Sequence, residues 1–111
     1  MRYNNLGESG MKVSEICLGA MMFGGRTSEI ASGRIISSAF DNGVNFIDTS
    51  NNYVGGESER IVGKFIRNHR PDWIVATKVG NTTGTGINDR GLGRKHLIAA
   101  IEASLIRLKT D

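Results

Sequence analysis

Val44-Asn45-Phe46-Ile47-Asp48-Thr49-Ser50-Asn51-Asn52-Tyr53 is an apolar run that stops on a carboxylate and gives way to a polar loop ending in a tyrosine. Thirty residues beyond Asp48 the pattern repeats, with Trp73-Ile74-Val75-Ala76-Thr77 running apolar up to Lys78. Thirty residues before Asp48 lies Leu18, the end of a third short run, Ile16-Cys17-Leu18, closed by Gly19. Runs that are apolar at successive rather than alternating positions read as fully buried strands, so strands are expected at 16–18, 44–47 and 73–77.

The segments between them have helical patterning. Thr27 or Ser28 can cap a helix whose inward stripe is Ile36, Ala39 and Phe40, with Gly43 as a left-handed stop. Gly55-Gly56 forms a turn, Ser58 can cap the next helix and Glu59 is favourable in its first turn. Ile61, Phe65 and Ile66 form the inner face of that helix, and Pro71 ends the segment. Gly80 to Gly93 contains five glycines and no periodicity, which predicts a long loop. In the last segment Leu97, Ile101, Leu105 and Leu108 fall on one helical face, with Ile98 beside it. Upstream of all this, Tyr3 to Val13 reads as a hairpin turning at Gly7-Glu8-Ser9-Gly10.

The order is a hairpin followed by strand–helix three times. A regular βα repeat with non-alternating strands implies a parallel sheet with helices outside it. Either an eight-fold βα barrel or an open doubly wound sheet would satisfy the pattern. The barrel is favoured, because no Gly-x-Gly-x-x-Gly follows the first strand, and Gly84-x-Gly86 lacks a third glycine and lies after strand three. Gly63-Lys64 is not a phosphate loop either, since Phe65 follows it. The expected fold is thus α/β, a partial (β/α)8 TIM barrel made of an N-terminal hairpin and the first three βα units, in one unit over residues 1–111.

Composition narrows the function. In 111 residues, hydrophobic content of 39% and charged content of 23% are those of a globular chain. The net charge of +3 comes from loosely grouped cations at 67–70 and 94–96 with no interleaved aromatics, so no nucleic-acid partner is expected. No apolar run approaches spanning length, and no membrane partner is expected. Cys17 is the only cysteine, which excludes an internal disulfide and favours a reduced, cytoplasmic setting. The oligomeric state is left open.

In a barrel, chemistry gathers at the carboxyl ends of the strands. Asp48 and Lys78 end neighbouring parallel strands, which lie about 4.8 Å apart, and Tyr53 leaves the loop between them. A structural ion pair tying two strands would explain the acid and the base alone. The phenol adds a further chemistry. A free phenol has a pKa of about 10, and an ammonium within about 4–6 Å is expected to lower it, giving a proton donor near neutral pH. Such a donor suits carbonyl reduction, in which hydride arrives at carbon and the phenol protonates oxygen, with the hydride borrowed from a cofactor. Ala20-Met21-Met22-Phe23-Gly24-Gly25 is either a packing plug or the floor beneath a flat ligand.

These residues, taken in order, resemble the aldo-keto reductases over essentially the whole chain. The matching pieces are Leu6-Gly7 to Gly10, Val13-Ser14, Leu18-Gly19, Gly43 to Thr49 with Tyr53, Gly56-x-Ser58-Glu59, Ala76-Thr77-Lys78, Arg94-Lys95-His96 and Ser104 to Asp111. Within the family the likeness runs to bacterial reductases related to potassium-channel β subunits. The resemblance implies NADP(H) as cofactor, a small-molecule carbonyl substrate, and a catalytic tetrad of Asp, Tyr, Lys and His. Asp48, Tyr53 and Lys78 match its first three members: Tyr53 as acid, Lys78 as its modulator, Asp48 as the anchor of Lys78. Gly19, Ala20 and Met21, with Asp48 and Tyr53, fall where the family contacts the nicotinamide end.

The family's histidine lies at the end of a fourth strand, after Asp111. His69 and His96 do not take its place and are expected on the surface. The chain therefore reads as a portion of a longer reductase, inactive by itself and prone to self-association. A cofactor-binding regulatory subunit of the channel type is the alternative function for its parent.

Overall fold

A computed structural model describes residues 1–111. The hairpin forms as expected. Strand β1 (Tyr3–Asn5) pairs antiparallel with β2 (Lys12–Ser14), with Tyr3 opposite Ser14, and Gly7 and Gly10 carry the positive φ angles of the turn. It is tied to the amino end of the next region. Tyr3 Oη donates to the Gly43 carbonyl (2.7 Å), and the Asn45 side chain accepts from the Ser14 N–H and donates to the Lys12 carbonyl.

Three strands form the parallel sheet that the repeat predicts: β3 (Leu18–Gly19), β4 (Phe46–Asp48) and β5 (Ile74–Ala76), in that order. The register sets Gly19 beside Asp48 and Asp48 beside Ala76. All three are shorter than the apolar runs that announced them. The ladder nevertheless runs on past their carboxyl ends, through Ala20 N–H to Asp48 O, Thr49 N–H to Ala76 O and Asn51 N–H to Lys78 O. The first run is not a buried strand: Ile16 is 57% exposed and Cys17 is exposed too. Of the run only Leu18 packs against the core. The sheet is open, with three strands and no closed barrel, in keeping with three βα units.

Helix α1 (Glu29–Asp41) begins at Ser28, whose hydroxyl accepts from the Ala31 N–H, and its chain turns away at Gly43 with φ +84°. Helix α2 (Glu57–Ile66) begins differently from the expectation. Gly56, at φ +92°, occupies the cap position, and Ser58 lies inside the helix, fully buried. Arg67–Asp72 tightens into a 3-10 turn before β5. The stretch from Gly80 to Gly93 is the expected loop, with no helix or strand until α3 (Arg94–Leu108).

The core lies between the sheet and the three helices. It gathers Ala20, Phe23, Ile36, Val44, Ile47, Ile61, Val62, Ile66, Trp73 and Leu108, with Phe40 and Phe65 packed against it. Two bare Cα atoms allow the helices to approach. A Cβ on Gly33 would run into the Phe65 ring, and one on Gly63 would run into the backbone of Leu108. Glu29 of α1 also pairs with Lys64 of α2.

The face of α3 differs from the one its large side chains suggest. The buried positions are His96, Ala100, Ser104 and Leu108, one per turn, whereas Leu97, Ile98 and Ile101 are 37%, 47% and 45% exposed. Small residues let α3 lie close on α2, and that rolls the bulkier ones outward toward Thr77, Lys78 and Val79, with which they line an apolar groove. His96, expected on the surface, is 7% exposed.

Candidate functional site

Asp48 is the last residue of β4, and Lys78 stands two residues beyond β5. The two strands run side by side in register, so both side chains leave the same end of the sheet. Lys78 Nζ lies 2.7 Å from each carboxylate oxygen of Asp48, 2.7 Å from the Thr49 carbonyl and 3.1 Å from Tyr53 Oη. An ammonium has three protons to donate, and these partners use all of them. Because Tyr53 Oη accepts from the ammonium, its own proton is free to be donated elsewhere.

Burial alone would pull the Lys78 amine down. The hydrogen bonds to Asp48 and Tyr53, and the charges of both groups, outweigh that effect, so the ammonium holds its proton to higher pH than an ordinary lysine. The cluster is open to solvent, with the Lys78 and Asp48 side chains 45% and 35% exposed. Cys17 is within electrostatic reach of it. Burial raises the pKa of its thiol, the Asp48 charge raises it further, and the Lys78 charge partly offsets both. The thiol is thereby kept protonated and poorly nucleophilic.

Tyr53 is held by an unusual piece of backbone. Val54, Gly55 and Gly56 take φ angles of 50°, 64° and 92° in succession. Left-handed backbone is uncommon for a β-branched residue such as Val54. The turn is fixed at its start by Tyr53 N–H to the Ser50 carbonyl and by Ser50 Oγ donating to Asn52 Oδ1.

A second polar network lies behind the rim, and the sequence did not reveal it. Ser58 Oγ donates to the Ala20 carbonyl (2.7 Å) and lies 2.8 Å from Thr49 Oγ1. Glu59, with no exposed surface, accepts from Thr77 Oγ1 at 2.6 Å and from Arg107 Nε at 2.5 Å. The first turn of α2 therefore grips the residue after Asp48 and the residue before Lys78. Ser58 and Glu59 were expected to serve their own helix, one as cap and one as a charge near its dipole. The available signal was a carboxylate between buried positions, but its cation is 48 residues downstream.

The candidate cofactor contacts divide. Gly19 is exposed beside Asp48, with open space where a Cβ would stand, and Met21 is 51% exposed. Ala20 is fully buried, its N–H donating to Asp48 O and its carbonyl accepting from Ser58. Its side chain belongs to the core and has no surface to offer a ligand. Phe23 is likewise core, so the apolar loop is a packing plug at that residue. His69 is exposed beside Asp72. The described residues hold no group of three or more His, Cys, Asp or Glu placed to bind a metal ion, and no helix is long and apolar enough to cross a membrane.

Residues 15–111 match the model of the aldo/keto reductase family. Across its full length the chain is 40% identical to an Arabidopsis thaliana protein described as a probable voltage-gated potassium channel subunit β. It is 37% identical to a protein of the same description from Oryza sativa subsp. japonica. Among solved structures, the holo form of an aldo-keto reductase from Bacillus halodurans superposes with a TM-score of 0.87 at 36% identity over the whole chain. The chain spans 35% of the length of each plant relative and 37% of the bacterial reductase.

Proposed function

The chain belongs to the aldo/keto reductase family, and from that premise we propose that it is the N-terminal part of an NADP(H)-dependent enzyme that reduces small aldehydes or ketones to alcohols. In this reading residues 1–111 are the hairpin and first three units of one (β/α)8 barrel, working in the cytoplasm. The observation that carries it is the single ammonium of Lys78 bonded at once to Asp48 and to Tyr53 Oη.

The geometry supports the following roles. Asp48 fixes the Lys78 amine and keeps it charged. Lys78 donates to the phenol oxygen, which stabilises negative charge there as the proton leaves. Tyr53 turns its free O–H toward the carbonyl oxygen and protonates it. NADP(H), when bound, supplies the hydride. Gly19 fits that group, since its exposed backbone beside Asp48 lets a flat ring approach without a side chain in the way. Met21 can cover an edge of the same ring.

The 111 residues alone leave the cluster open to water and strand edges unpaired, and water at the site weakens every electrostatic contact within it. The chain by itself is therefore expected to give negligible NADPH oxidation with an aromatic aldehyde. Turnover at the rate of an intact enzyme would refute its standing as one part of the catalytic unit.

The two plant relatives, described as probable potassium channel β subunits, favour a second reading, in which the parent is a cofactor-holding regulatory subunit that senses redox state. Both readings use the same three residues. Steady-state turnover of the full-length parent separates them: rapid cycling supports the enzyme, and tight cofactor retention with slow turnover supports the sensor.

A further inference from the structure

Of the partners of Lys78 Nζ only one is main chain, the Thr49 carbonyl at 2.7 Å. Asp48 and Tyr53 reach the ammonium through side chains that can turn about their own bonds. The carbonyl turns only with its peptide. Its direction therefore sets where the ammonium rests between carboxylate and phenol. Thr49 is fully buried, and its N–H is fixed on the Ala76 carbonyl across the sheet. The threonine side chain is its other point of attachment.

That side chain is held by Ser58, from another element. Ser58 stands in the first turn of α2, yet Gly56 takes the cap position and both partners of the Ser58 hydroxyl lie outside the helix. A serine hydroxyl has one proton, and the Ala20 carbonyl receives it at 2.7 Å. The 2.8 Å contact with Thr49 Oγ1 is therefore donated by the threonine. Ser58, Thr49 and Ala20 have no exposed surface, so solvent does not reach these bonds. A buried hydroxyl is costly unless it is bonded. Here the bonds run in one line, from the loop after β3 through α2 to the residue whose carbonyl meets Lys78.

Given the proton-donor reading of the rim cluster, on which this inference rests, we propose that Ser58 is a positioning residue. Through Thr49 it holds the carbonyl that keeps the Lys78 ammonium on Tyr53 Oη. Without the hydroxyl bridge the Thr49 peptide is free to tilt, and the ammonium loses one fixed acceptor. The phenol then loses the steady positive charge that eases the departure of its proton. A displacement of about 1 Å in such a cluster is enough to lower a rate on the order of 10²-fold. The rival role for Ser58 and Thr49 is packing alone, and the two roles are separable by substitution.

Thr49→Val keeps the branching and bulk of threonine and removes the hydroxyl, whereas Thr49→Ser keeps the hydroxyl and removes a buried methyl. In the full-length parent, Thr49→Val should lower kcat by at least about tenfold with cofactor affinity preserved, and Thr49→Ser should retain most of the rate. Packing alone predicts the reverse order, because serine leaves a void and valine does not. Ser58→Ala breaks the same bridge from its other side and should match the valine variant, serving in its place should that variant not fold. A second measurement needs no turnover. In carbon-13 spectra of the 111-residue chain, the Lys78 ε-carbon should titrate at lower pH in Thr49→Val than in the unaltered chain, since an acceptor that favours the charged amine has been loosened. Thr49→Ser should leave that titration in place. Full activity of the valine variant, greater damage from serine, or an unmoved Lys78 titration in a folded valine or alanine variant would overturn the proposal. If Tyr53→Phe leaves the parent fully active, the proton-donor reading fails, and the Lys78 titration still decides whether Ser58 holds the ammonium.

Discussion

Two neighbouring ion pairs do different work. Lys78 and Asp48 meet at the sheet rim, 45% and 35% exposed, and the ammonium reaches outward to a phenol. Arg107 and Glu59 meet behind it, 19% and 0% exposed, and the carboxylate reaches a threonine that adjoins Lys78. The outer pair contributes little to stability because water screens it. The inner pair is costly to break, since removing one partner leaves a charge stranded without solvent. Burial, more than the kind of charge, separates the pair left open to a ligand from the pair that holds the frame.

The largest expected effect falls on the outer cluster and on rate. Tyr53→Phe in the full-length parent should lower kcat by about 10²–10⁴-fold while cofactor binding persists. Near-normal turnover would reduce the cluster to a strand tie. Next in size is the inner pair: Glu59→Ala should destabilise the fold by about 3–5 kcal/mol, read from the urea midpoint. A loss below about 1 kcal/mol would erase the distinction drawn between the pairs.

The smallest effect tests the outer pair's stability. Lys78→Met should change stability by no more than about 1 kcal/mol, with a pH signature. The folded-state pKa of Lys78 is raised, so its contribution is complete below the ordinary lysine value of about 10.4. It is lost as pH rises above that value through the folded one. The wild-type advantage should stay level through neutral pH and shrink only in alkali; a change centred near neutrality would contradict this.

Asp48, Tyr53 and Lys78 were legible because a buried parallel strand announces its end by an abrupt change from apolar to polar. The βα order was legible for the same reason. The helix faces were less so. In α3 the large side chains pointed to 97, 101, 105 and 108, but close packing on α2 is made by Ala100 and Ser104, and only Leu108 belongs to both sets. Glu59 was hidden because its partners come from other elements, and His96 because neighbouring segments, rather than its own helix, cover it.

Val54 has a consequence for any effort to toughen the molecule. Its left-handed backbone costs a side-chain-bearing residue about 1–2 kcal/mol, and it is 43% exposed, with little packing to compensate. Glycine there would relieve the tension and slacken the turn that holds Tyr53. Selection for heat tolerance alone would be drawn to this position, and would trade a firm hold on the tyrosine for endurance.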